Sequence, residues 1–177
     1  MKRRGQQGIL ALVSILFAIG ITSAATEMLS GAAVQADPES VKTIIAAFDR
    51  AEEALHTENL PAMMAVYSKG YQNRGLRKEE TSRIWQDLFT RYDRLSSRHV
   101  FSKIVVDREK KTAHVTCTGA LFGTSVFNKE RPEPVRIDFW FEAVHHLVFE
   151  EGAWKIVGHD PGAGEEGPLG SALHLLF

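Results

Sequence analysis

PVRIDFWFEAVHHLVFEEGAWKIVGHD, from Pro134 to Asp160, decides the fold. Every second residue gives Ile137, Phe139, Phe141, Ala143, His145, Leu147 and Phe149, apolar but for one histidine. The interleaved set, Arg136, Asp138, Trp140, Glu142, Val144, His146, Val148 and Glu150, is mixed and largely polar. Side chains of a strand alternate between the two faces of a sheet, so this period predicts a half-buried antiparallel strand. Glu150-Glu151-Gly152 supplies a turn, and Trp154-Lys155-Ile156-Val157 returns as the partner strand.

Working outward, Ser96–Val106 and Thr112–Val126 are expected as a second pair of strands. They are joined through the polar run Asp107-Arg108-Glu109-Lys110-Lys111, with Val100, Ser102, Ile104 and Val106 on one face of the first. Three helices should precede them. Asp37-Pro38-Glu39 is a helix start, followed by the stripe Val41, Ile44, Ile45, Phe48, Leu55 over residues 38–57. Asn59 caps a shorter helix with Pro61 in its first turn, and residues 77–94 carry Ile84, Trp85, Leu88, Phe89 and Tyr92 at helical spacing. Helices followed by long antiparallel strands predict an α+β fold.

The ends differ from this middle. Lys2, Arg3 and Arg4 precede an apolar run from Gly8 to Ile21, which reads as a signal peptide. The run is short for a membrane span, which needs roughly 20 apolar residues. Thr22-Ser23-Ala24-Ala25 offers an early cleavage site, and Val34-Gln35-Ala36 a later one. The division adopted is residues 1–36 as leader, 37–160 as the folded domain and 161–177 as a Gly/Pro-rich tail with an apolar end. Export to the periplasm or medium follows, with membrane attachment only if the leader stays uncleaved as an anchor. The chain has 177 residues and a formal net charge of −1, and it lacks a basic run, which argues against nucleic-acid binding. A single cysteine, Cys117, cannot make an internal disulfide.

The element order, together with Leu60-Pro61-Ala62-Met63-Met64-Ala65-Val66-Tyr67-Ser68 and Glu151-Gly152-Ala153-Trp154-Lys155-Ile156-Val157, resembles the nuclear transport factor 2-like superfamily. Ketosteroid isomerase and SnoaL-like cyclases belong there. The resemblance implies a curved antiparallel sheet wrapped around three helices as a cone, with an apolar pocket at its wide end and dimerisation through the sheet. It does not carry the isomerase chemistry across. The base aspartate expected after the second helix would fall at Tyr71-Gln72-Asn73-Arg74, which contains no acid, and the first helix has no tyrosine.

His145 is the best candidate for an acid or base, since it is the ionisable group on the face expected to line the cone. A core histidine satisfied by its surroundings is the plainer reading. Tyr67, Trp85, Tyr92, Phe139 and Phe141 complete the expected ligand-binding set, though an aromatic stripe at helical spacing is first of all core. His145 and His146 point to opposite faces of a strand. His99 and His114 could approach each other but match no zinc spacing, so neither metal nor cofactor is expected. Asp138, Glu142 and Trp140 are expected to face outward, with Trp140 anchoring a homodimer. The function that follows is a non-catalytic module binding a small apolar ligand or a partner. The alternative is a small-pocket isomerase, cyclase or hydratase using His145.

Overall fold

Asp37 sets the start of the helical layer. In this computed structural model, which describes residues 26–128, 130 and 132–160, its carboxylate accepts the backbone N–H groups of Glu39 and Ser40 at 3.1 and 3.0 Å. These are donors that a helix start otherwise leaves open. Among the described residues the order is β1 (Thr26–Gln35), α1 (Pro38–His56), α2 (Leu60–Ala65), β2 (Gln72–Asn73), β3 (Leu76–Arg77), α3 (Lys78–Arg91), β4 (Tyr92–Asp107), β5 (Thr112–Ser125), β6 (Val135–Glu150) and β7 (Ala153–Asp160). The apolar run expected to be a leader and the tail from Pro161 lie outside the described residues.

Helix α1 turns Ile44, Phe48 and Leu55 inward, all at most 1% exposed. Burying each such side chain contributes roughly 1.5–3 kcal/mol. Asn59 caps α2 through the Ala62 N–H at 3.0 Å. The end of α2 is tied to the sheet, because the Ile156 N–H donates to the Val66 carbonyl and the Ser68 N–H to the Ile156 carbonyl, both at 2.9 Å. Tyr92, expected at the end of the third helix, instead opens β4: its backbone is extended and its N–H closes the last turn on the Leu88 carbonyl.

The large sheet has the order β1-β4-β5-β6-β7 and curves, unclosed, over the helices. Four strands form an antiparallel meander; β1 alone is parallel to its neighbour, β4. At the β6–β7 turn Glu151 and Gly152 both take positive φ, 53° and 81°. This is the conformation that a tight two-residue hairpin requires. Strand β1 is not anticipated by its sequence, whose small and apolar residues read as the end of a leader. Its register runs from Thr26↔His99 to Gln35↔Val105, with a break between Met28 and Ala33.

Two bulges shift the faces expected from alternation. On β4 the inward set is Leu95, Ser97, His99 and Phe101, not Val100 and Ser102. The register shift after Phe101 then turns Ile104 inward. On β6, Cys117 pairs with Ala143 and Gly119 with Trp140, so Phe141 and Glu142 together oppose Thr118. Glu142 takes φ +51° and its N–H donates to Thr118 Oγ1 at 3.0 Å. One inserted residue inverts the alternation. Ala143, His145 and Leu147 therefore face the helices, while Phe139 and Phe141, at 53% and 52% exposed, lie outside. Trp140 is buried, at 1%. Both expectations are corrected: the two phenylalanines do not line the hollow, and Trp140 is core rather than an outward anchor.

Candidate functional site

His145 is buried on the inner wall, where strand register sets it beside Val115 and His159. Its ring packs edge-on against Phe48 of α1, with centroids 5.6 Å apart, and lies 6.1 Å from the ring of His159. His159 in turn reaches the Asn73 amide at 3.4 Å. Asn73 lies in the stretch where an isomerase would place its base.

A second polar string runs from the surface into the same wall. His56 meets Glu52 at 2.9 Å, with the His56 side chain 53% exposed and that of Glu52 only 9%. Glu52 accepts the Ser97 N–H at 2.8 Å and the Ser97 hydroxyl at 2.5 Å. Ser97 Oγ lies 3.2 Å from His99 Nε2, and His99 Nδ1 lies 3.6 Å from Cys117 Sγ. Trp140 Nε1–H donates to that sulfur at 3.3 Å. Burial pushes the Cys117 thiol up to about 12, the Trp140 hydrogen bond only partly opposing it, so it is not poised as a nucleophile. His99 also packs against Phe48 at 5.0 Å. Phe48 thus separates two buried histidine clusters. Sequence reading misses Glu52 and Ser97. The available signal is an acid four residues after Phe48 on the apolar stripe of α1, and a Leu95-Ser97-His99-Phe101 alternation on β4.

The other expected ligand residues do not converge on His145 as a set. Tyr67 and Trp85 are fully buried and joined to each other, Trp85 Nε1–H donating to the Tyr67 hydroxyl at 2.8 Å. Burial, reinforced by nearby Tyr71, holds the Tyr67 hydroxyl well above the usual phenol range. Tyr92 is half-buried at the edge of the core, and Phe139 and Phe141 are outside it. His99 and His114 are also apart: His114 pairs across strands with His146 on the outer side, their ring centroids 4.8 Å apart. Among the described residues no group of three His, Cys, Asp or Glu side chains is placed to hold a metal ion. No described helix is long and apolar enough to cross a membrane.

Several clefts lined by described residues lie on the outer surface. A cleft of about 330 Å³ lies between the first turns of α1 and the two hairpin ends of the sheet, lined by Ser40, Thr43, Val106, Arg108, Lys111, Phe149 and Trp154 among others. Phe149 and Trp154 meet edge to face at 5.3 Å, and Trp154 Nε1–H donates to Thr43 Oγ1 at 3.2 Å, which holds the indole against the helix. Arg108 is tethered by Asp37 at 2.6 Å. The Ser40 hydroxyl and Arg108 hold the Asp37 carboxyl far below the ordinary range. Three further clefts, against α1, α2 and α3, are likewise not lined by His145.

Comparison with solved structures gives this arrangement its fold. Aln2 from a Streptomyces species superposes with a TM-score of 0.55 at 15% identity, over 71% of this chain and 90% of that one. The chain has the nuclear transport factor 2-like fold. A conserved protein from Planctomyces limnophilus superposes at TM-score 0.54 and 13% identity, over 70% of this chain and 94% of that one. A scytalone dehydratase-like protein from Novosphingobium aromaticivorans does so at 0.52 and 15%, over 68% and 81%. No family profile and no curated protein matches the sequence. At these identities the likeness carries the fold and nothing of the chemistry.

Proposed function

We propose that the chain is an exported, non-catalytic module that binds a small apolar ligand, acting as a homodimer through the outer side of its sheet. One observation carries the reading: among the described residues, the inner-wall side chains are buried and packed on one another. His145 is 0% exposed and packed on Phe48, and Tyr67 and Trp85 are committed to one another in the core. A general base must come within hydrogen-bond reach of its substrate. The aromatic-walled cleft at Phe149 and Trp154 is open, and its volume of about 330 Å³ falls at the small end of ligand sites. Phe139, Phe141 and Val135, exposed on β6, support an outer contact surface.

The test is a titration of the exported protein with a panel of small aromatic and aliphatic compounds, read by tryptophan fluorescence and native mass spectrometry. Binding that Trp154→Ala removes, while the protein stays folded, is the expected result. Turnover of any panel compound, lost in a folded His145 variant, would overturn the reading. A second reading, a small-pocket isomerase, cyclase or hydratase, is favoured by the three histidines His99, His145 and His159 on one wall, with Glu52 and Ser97 behind the first of them.

A further inference from the structure

We propose that the leader is removed at Ser23-Ala24-Ala25, so that the exported chain begins at Ala25 or Thr26 and keeps β1. The inference rests on the export reading and adds which of two small-residue sites the processing enzyme uses. Both sites carry a pattern a processing enzyme accepts, and the sequence reading takes the later one, after Ala36. The fold separates them.

Three observations bear on the choice. First, β1 is part of the sheet: Thr26 is 6% exposed, Met28 and Ala36 pack on the core, and Thr26, Glu27 and Met28 pair with His99, Val100 and Phe101. After the register break, Ala33, Val34 and Gln35 pair with Lys103, Ile104 and Val105. Cutting after Ala36 would strip this strand and leave the far side of β4 from His99 to Val105 without a partner, a bare edge of the kind that recruits other chains. Second, a cut after Ala36 would make Asp37 the first residue. Its new ammonium group would sit at the positive end of α1, where a cation is unfavourable. It would also compete with Arg108 for the Asp37 carboxylate that caps the helix. Third, a cut at Ala24 or Ala25 places the new terminus at the first residues of β1, and no described element is lost. Because Thr26 is buried once β1 docks, cleavage precedes docking.

The experiment expresses the full chain with its own leader in a bacterial host and measures intact mass and N-terminal sequence in periplasmic and membrane fractions. A soluble chain starting at Ala25 or Thr26 is expected. The paired substitution Ala24→Arg, Ala25→Arg should abolish processing and leave full-length precursor at the membrane, and Ala36→Arg should be processed as the wild type. A wild-type chain starting at Asp37, or loss of processing in Ala36→Arg alone, overturns the assignment while leaving export intact. Full-length wild-type chain that never reaches the periplasm overturns both.

Discussion

Replacing His145 with alanine separates the two functional readings most directly. The side chain is 0% exposed, wedged between Phe48 on α1 and His159 on β7. Truncation leaves a hole about the size of an imidazole, bounded by a helix and two strands that hold each other apart. Deleting a buried side chain of this size costs roughly 2–4 kcal/mol, the larger figures applying where the surroundings cannot collapse. For a folded unit of this length, each kcal/mol moves the melting midpoint by roughly 3–5 °C. His145→Ala should therefore lower Tm by about 6–20 °C in calorimetry. A catalytic histidine facing an open hollow has no such packing duty. A shift smaller than about 2 °C, with near-ultraviolet circular dichroism unchanged, would refute the filled-interior argument and restore His145 as a candidate base.

Other consequences are equally concrete. Gly119→Ala should cost roughly 2–3 kcal/mol in urea unfolding, because its methyl group would overlap the Arg98 carbonyl and the Trp140 ring. Gly70→Ala, with only Ser68 Oγ nearby at 3.8 Å, should be tolerated, and an equal loss in the two variants would count against the bulge geometry. Cys117, held at about 12 by burial, should resist thiol reagents at pH 8 in the native protein and react on unfolding; rapid native labelling would show the pocket around it to be open. The Asp37 carboxyl is depressed by Ser40 and Arg108, and that of Glu151, at about 2, by Lys155 and Lys69. Their stabilisation is full above the ordinary carboxylate pKa of roughly 4 and is lost as pH falls through the lower folded values. Wild type should thus melt above Asp37→Asn and Glu151→Gln at pH 6 and converge with them near the folded pKa values; a gap constant with pH would exclude the linkage. Trp140→Arg should unfold the protein, since the indole is buried against Gly119 and Cys117, and a folded monomer would contradict that burial.

The helical layer is legible because its signals are local. Asp37, Asn59 and the apolar stripe of α1 each act within a few residues, and the structure places them as the sequence implies. The meander β4–β7 is legible for the same reason, through alternation and the Glu151-Gly152 turn. The faces of β4 and β6 are not. Phe139, Trp140 and Phe141 are all large and aromatic, so nothing in their order marks where the alternation inverts. The inversion depends on Glu142 adopting a left-handed backbone, which a glutamate does not announce. The correct inner wall therefore appears only when β5 fixes the register. β1 is hidden for another reason: a small-residue strand and the end of a leader share one composition, and its partner β4 lies far along the chain.

The lone parallel pairing also imposes an order of events on the newborn polypeptide. Residues 26–35 leave the ribosome long before His99–Val105 do, since about seventy residues separate the partners and closing so long a loop is slow. Throughout that interval the segment has no strand partner of its own to pair with. A chain terminated ahead of β4 would carry Thr26–Gln35 with its partner strand missing.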